Sequence, residues 1–309
     1  MVSSTNLANH PEICSTIPMV IENLRFTPLE ILTTPLWNHI KRRREKRLIC
    51  PHGSPYFNPS IEFFRTSQVQ LKIIFIHVGK CAGESILSYL RCALPPESFC
   101  LFEYHVADAN RLIEEVLGEI VNDAQAIVVI STRDPLDRWV AAFNWDYHNT
   151  VLSSTEPLKT FMRMIEAYPS VADLARGIAK NDQKARRYGR LEHMGMGVSW
   201  YLPATLLDSL PAGRTYTINL QTMHSDLVRM LTELRDGRSM PEIQILRHVP
   251  QTKANYKDAY PANTFGHLHD LRIEEINAMK AYLRLDYEVH HQLVSRLQHG
   301  GPSARPVDQ

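Results

Sequence analysis

The sequence predicts an α/β protein with a central parallel sheet flanked by helices, and three observations predict it. Short apolar runs, LKIIFI (71–76), CLFEY (100–104) and AIVVIS (126–131), read as buried strands. Stretches with apolar residues at helical spacing separate them. Each run is followed at once by a chemically loaded polar segment: HVGKCAGES (77–85), His105, and TRDPLDR (132–138). The alternation of strand and helix implies parallel pairing with right-handed crossovers. Ligands of such sheets bind outside the carboxyl ends of the strands. Three loaded strand ends in one chain therefore point to one nucleotide site.

The elements follow in order. The first strand covers residues 71–78, and a helix over 84–94 is ended by Pro95 and Pro96. The second strand covers 99–105, and Asp108 is placed to cap a helix reaching about residue 121. The third strand covers 126–131. Asp134 and Pro135 then form a cap and first-turn pair for a helix over 135–148. Residues 149–210 read as mostly helical with polar breaks, and 214–220 as a further strand followed by a helix over 225–235. Residues 247–265 form a long polar loop, a type of segment that is often functional. Helices over 273–283 and 287–297 close a domain running from 69 to 299. Residues 1–68, weakly periodic and rich in proline, read as an N-terminal extension or lid, and 300–309 as a disordered tail. Within the extension, KRRREKR (41–47) is either a solvated helix face or a patch for phosphate or a partner.

Composition is that of an ordinary globular chain: 309 residues, 44% hydrophobic, 22% charged, net charge +1. A net charge this small steers the chain to no nucleic acid. No apolar stretch reaches the roughly 18 residues of a membrane span, and the first residues lack the pattern of a signal peptide. Five cysteines without a CxxC pair indicate neither a disulfide framework nor a zinc site. The expectation is a cytoplasmic protein with no membrane or nucleic-acid partner, no metal, and an undetermined oligomeric state.

The first loop fails the Walker pattern, which needs Gly, Lys and Ser or Thr in succession. Here Lys80 comes early, Gly83 follows, and Glu84 precedes Ser85. The order Lys-x-x-Gly-x-Ser after a strand resembles the 5′-phosphosulfate loop of sulfotransferases that use 3′-phosphoadenosine 5′-phosphosulfate (PAPS). TRDPLDRWVAAF (132–143) resembles their 3′-phosphate motif, and EYHVADANRL resembles the His-Ala-Asp segment of the 6-O-sulfotransferases. The likeness is to the carbohydrate-type branch, which includes the heparan sulfate O-sulfotransferases, and spans about residues 71–298. It implies a P-loop-like three-layer fold and sulfuryl transfer from PAPS to a hydroxyl or amine of a small-molecule or carbohydrate acceptor. Length and the expected lack of a membrane anchor place the chain with soluble natural-product tailoring members such as the cyanobacterial alkaloid sulfotransferases.

The residues carry this chemistry as follows. Backbone N–H groups of Cys81, Ala82, Gly83, Glu84 and Ser85 at a helix N-terminus suit an anion. Gly83 admits a close approach, and Ser85 adds a hydroxyl. Lys80 supplies positive charge where the sulfuryl group leaves. Arg133 suits the 3′-phosphate with paired hydrogen bonds. The family has a serine eight residues later, where this chain has Ala141, so one contact is missing. His105 is the expected general base, with Glu103 as fallback and His77 structural. Glu84 turns outward, pairs with an arginine, or faces a cationic acceptor. Arg138 is either a structural ion pair or a nucleotide contact. HMGMGVSWYL (193–202) is either core or the lining of an acceptor pocket. Lys253 and Asn255 fall where the family has a late basic loop over the donor. His267, His269, His290 and His291 read as surface residues. Two rivals stand beside this reading: an ATP-dependent small-molecule kinase with a degenerate phosphate loop, and a non-catalytic nucleotide-binding module.

Overall fold

The computed structural model describes residues 66–95, 97–105, 122–149, 158–202, 204–238, 240–249 and 268–299. Nearly all of the expected N-terminal extension, the expected helix after Asp108, the loop carrying Lys253 and Asn255, His267 and the tail lie outside the described residues.

Four strands form one sheet: β1 (Leu71–Ile76), β2 (Phe99–Tyr104), β3 (Ala126–Thr132) and β4 (Thr215–Asn219). All pairs are parallel and the order is β2-β1-β3-β4. Ile74 of β1 sits opposite Phe102 on one side and Val128 on the other. Every residue of β1 and β3 is buried. That explains their unbroken apolar sequence, because both faces of a parallel sheet are covered.

The helices are α1 (Gly83–Ala93), α2 (Pro135–Tyr147), α3 (Lys159–Ala167), α4 (Val171–Ala179), α5 (Gln183–Tyr188), the short α6 (Glu192–Gly195), α7 (Val198–Tyr201) and α8 (Ala204–Ser209), then α9 (Met223–Gly237), α10 (Ile273–Tyr282) and α11 (Arg284–His299). Strand alternation assigns them to layers. Leu71, Ile73 and Phe75 pack on one face with Leu87 and Leu90 of α1 and Leu227 and Leu231 of α9. Ile74 and Ile76 pack on the other with Tyr201 of α7, Leu207 of α8 and Leu293 of α11. Helices α2 to α5 and α10 form a third apolar cluster around Trp139, Phe143 and Phe161. The result is a three-layer α/β fold. Among the described residues no helix is long and apolar enough to cross a membrane.

The proline-led start of α2 is built as the sequence implies. The Asp134 carboxylate accepts the N–H groups of Leu136 and Asp137, and Tyr287 of α11 donates its hydroxyl to the same carboxylate. Such a cap stabilises a helix by about 1 kcal/mol. Two expectations are corrected. Helix α11 starts at Arg284, not 287, because Leu283 alone separates it from α10 and no loop residues mark the break. His290 is not a surface residue. It is 8% exposed, and its Nδ1 lies 3.0 Å from Thr132 Oγ1 at the end of β3, because α11 lies across the sheet there. Its neighbour His291 is exposed.

Candidate functional site

The strand order fixes where a ligand crevice lies. From β1 the chain crosses to β2 on one side, then returns past β1 to β3 on the other. The crevice of such a sheet opens at the carboxyl ends of the two strands where the direction switches, here β1 and β3. The segment 77–82 leaves β1 at that point and Arg133 leaves β3. Ser131 ties the two exits together, since its Oγ accepts the Val78 N–H at 3.0 Å and donates to the Ile76 carbonyl.

The loop itself is bent in a manner that side chains resist. Lys80 has φ 68° and Ala82 φ 61°, both left-handed without being glycine. Each such residue costs on the order of 1–3 kcal/mol, and strain of this kind clusters at ligand sites. Ala82 is the N-cap of α1 and has no side chain to satisfy the helix end. Among the described residues, no acceptor faces the N–H groups of Ala82 and Gly83. A helix N-terminus in this condition favours an anion.

Three cations converge there. Burial dominates the Cys81 thiol and pushes it up to about 12; Arg138, Arg133 and Lys80 lower it, and the Asp286 carboxylate raises it. Cys81 is therefore a neutral thiol whose Sγ points at the Gly79 carbonyl, not a nucleophile. Arg138 is 2% exposed and spends its donors on carbonyls: Gly79 at 3.4 Å, His193 at 2.9 Å and Met194 at 3.1 Å. It is a structural staple between the loop and α6, made with carbonyls instead of an acid. Arg133 differs, because its Nε is buried and meets no acceptor among the described residues. The Lys80 ammonium stands 3.6 Å over the Trp145 ring of α2. Ala141 lies one turn before Trp145 on the half-exposed stripe of that helix. Glu84 is exposed in the first turn of α1, where a carboxylate is favourable, and Ser85 is half-buried.

The expected base is next to the loop. The His105 Nδ1 lies 3.0 Å from the His77 carbonyl. A carbonyl only accepts, so the proton is on Nδ1 and the Nε2 lone pair is available. Burial, then the neighbouring His77, lower the His105 pKa to about 4, which keeps the ring neutral. The His77 ring stacks on His105 with centroids 4.2 Å apart, and its Nδ1 is 2.6 Å from Glu103 Oε1. Burial raises the Glu103 carboxyl, but the hydrogen bond and charge of His77 outweigh it and hold the group below its usual range. Glu103 is thus the partner of His77. Gly83 has a reason the sequence did not reveal: a Cβ there would fall on the His77 ring, far inside van der Waals distance. The space beside this glycine is filled by the chain's own imidazole.

One pair was missed in the sequence. Asp146, near the end of α2, is 2% exposed. Its carboxylate accepts both the backbone N–H of His193 at 3.1 Å and, at 2.5 Å, the His193 Nδ1. The Cδ2 edge of His193 faces Gly79, 3.8 Å from where a Cβ would stand, and Tyr201 Oη approaches the same point at 3.2 Å. Glu192, just before, has φ 44°, a third strained non-glycine after Lys80 and Ala82, and burial followed by Asp146 raises its carboxyl. The stretch 193–202 thus serves in two ways. Val198, Tyr201 and Leu202 join the core, while His193 borders the loop. A visible signal existed: Trp139, Phe143 and Asp146 share the buried stripe of α2, and a carboxylate on an apolar stripe needs a partner.

The structure thus brings the segment 80–85, His105 and Arg133 to the carboxyl ends of the neighbouring strands β1, β2 and β3; Ala141 is placed only on the half-exposed side of α2, one turn before Trp145, and Lys253 and Asn255 lie outside the described residues. No family model, no curated protein and no solved structure matches the chain.

Proposed function

We propose that this crevice is the donor site of a PAPS-dependent sulfotransferase that sulfates a small-molecule or carbohydrate hydroxyl or amine. The observation that carries the reading is the pairing of a cap-less helix N-terminus, with Lys80, Arg133 and Arg138 but also the Asp286 carboxylate near it, with a buried Arg133 Nε that meets no acceptor among the described residues. A buried donor without a partner costs about 1–3 kcal/mol, a cost that a phosphate at this point removes. PAPS bound there supplies a sulfuryl group and leaves as its desulfated product, PAP.

The chain's residues then divide the work. The N–H groups of Ala82 and Gly83 hold the 5′ end, and Arg133 holds the 3′-phosphate. Lys80, which stands over Trp145, swings to meet the charge that grows on the departing oxygen, where it makes a charge-assisted bond. His105 presents a neutral Nε2 and is the first candidate for the acceptor's proton. The test is thermal unfolding with added ligand. PAP at about one hundred times its dissociation constant stabilises by about 2.7 kcal/mol, and ATP with magnesium gives no shift. A shift with ATP and none with PAP hands the site to a kinase.

A further inference from the structure

We infer that the Asp146–His193 pair is the proton-accepting base of this crevice, with His193 Nε2 as the catalytic atom and Asp146 as the positioning residue. The inference rests on the sulfuryl-transfer reading and revises one part of it: His193, and not His105, takes the acceptor's proton.

Five observations carry it. The Asp146 carboxylate is bound to two donors of one residue, the backbone N–H and Nδ1 of His193, so the ring has one orientation. In the neutral ring the proton is then on Nδ1 and the lone pair on Nε2, the arrangement a general base requires. The ring lies beside the phosphate loop, with Cδ2 3.8 Å from where a Cβ on Gly79 would stand. Arg138 clamps the carbonyls of Gly79 and His193 to one guanidinium, which fixes the distance between base and loop. The backbone strain at Glu192 falls on the residue before the base. Burial separates the partners as a dyad needs: the Asp146 side chain is 3% exposed and the His193 side chain 29%. His105 lacks such support. It is bound to a carbonyl and is disfavoured as a cation by its surroundings, so it holds a full proton poorly. The step balances: a bond forms between acceptor oxygen and sulfur, the sulfur–oxygen bond to the 5′-phosphate breaks, the acceptor proton goes to His193 Nε2, and the charge leaves on PAP.

The test has two arms. Diethyl pyrocarbonate acylates neutral imidazoles, and mass spectrometry reads each site. His193 is expected to react faster than His269, whose side chain is 80% exposed. Asp146→Asn is expected to slow His193 at least fivefold, and PAP to protect it. In the second arm, PAP release from PAPS with water as acceptor is expected to fall at least tenfold in His193→Ala, while PAP affinity stays within twofold. Because Asp146 is buried, His193→Ala is the variant that decides if Asp146→Asn fails to fold. Reactivity of His193 no higher than that of His269, or unchanged turnover in His193→Ala, overturns the inference. A protein that binds no PAP but keeps a reactive, Asp146-dependent His193 overturns the sulfuryl-transfer reading instead.

Discussion

Gly83→Ala tests whether the glycine of the loop serves the protein's own imidazole. The new methyl falls on the His77 ring, which is 6% exposed and packed against Phe75 and His105. To admit the methyl, the ring must leave the Glu103 carboxylate at 2.6 Å. Losing a hydrogen bond to a charged group costs about 1.5–3 kcal/mol, and overpacking a core adds about 1–3 kcal/mol. Replacing glycine at a helix start returns less than about 1 kcal/mol. The net loss is about 1.5–6 kcal/mol, a fall in Tm of about 3–10 °C for a chain of this size. In a His77→Ala background the methyl enters space the ring has vacated, so the same substitution should fall within about 0.5 kcal/mol of neutral. The two single variants and the double variant, unfolded in urea, give the coupling energy directly. Additive effects, or a Gly83→Ala variant as stable as the parent, would refute the assignment. The glycine would then be kept for the ligand, and PAP affinity would fall in its place.

Three further outcomes are expected. Arg133→Ala should weaken PAP strongly and adenosine 5′-phosphosulfate little, while Ala141→Ser should tighten PAP by up to about tenfold and leave the other ligand unchanged, both read by isothermal titration. Arg138→Met strands the carbonyls of Gly79, His193 and Met194, and chemical unfolding should show a loss of about 2–4 kcal/mol. His105 has its folded pKa lowered from 6.5 to about 4. The unfolded chain therefore binds a proton that the folded protein refuses, so this contribution is full above pH 6.5 and is lost as pH falls through the window down to about 4. Urea midpoints at pH 7 and pH 5 should show that decline, and His105→Gln should flatten it.

The sheet was legible because its strands are covered on both faces, so LKIIFI and AIVVIS leave no other reading than buried strands of that length. The start of α2 was legible because Asp134 and Pro135 act locally, within one turn. The limits of β1 were not. His77 and Val78 are buried like the run before them, but Val78 gives its N–H to Ser131 Oγ and to the Ile76 carbonyl, and the ladder ends at Ile76. Pairings across long separations left no local trace. His193 meets Asp146 over 47 positions, and Arg138 reaches Gly79 over 59. The guanidinium of Arg138 was the hardest to read, since an arginine satisfied by carbonyls has no acid in the sequence to announce it. Gly83 was read as room for a ligand because the side chain that fills its space lies in the strand exit.

The most direct test of the central claim is a crystal structure of the protein with PAP. The account predicts the 5′-phosphate on the N–H groups of Ala82 and Gly83, the 3′-phosphate on Arg133 Nε, and the Lys80 ammonium lifted from Trp145. PAP bound elsewhere, or a phosphate in the loop with Arg133 Nε still unmatched, would contradict it.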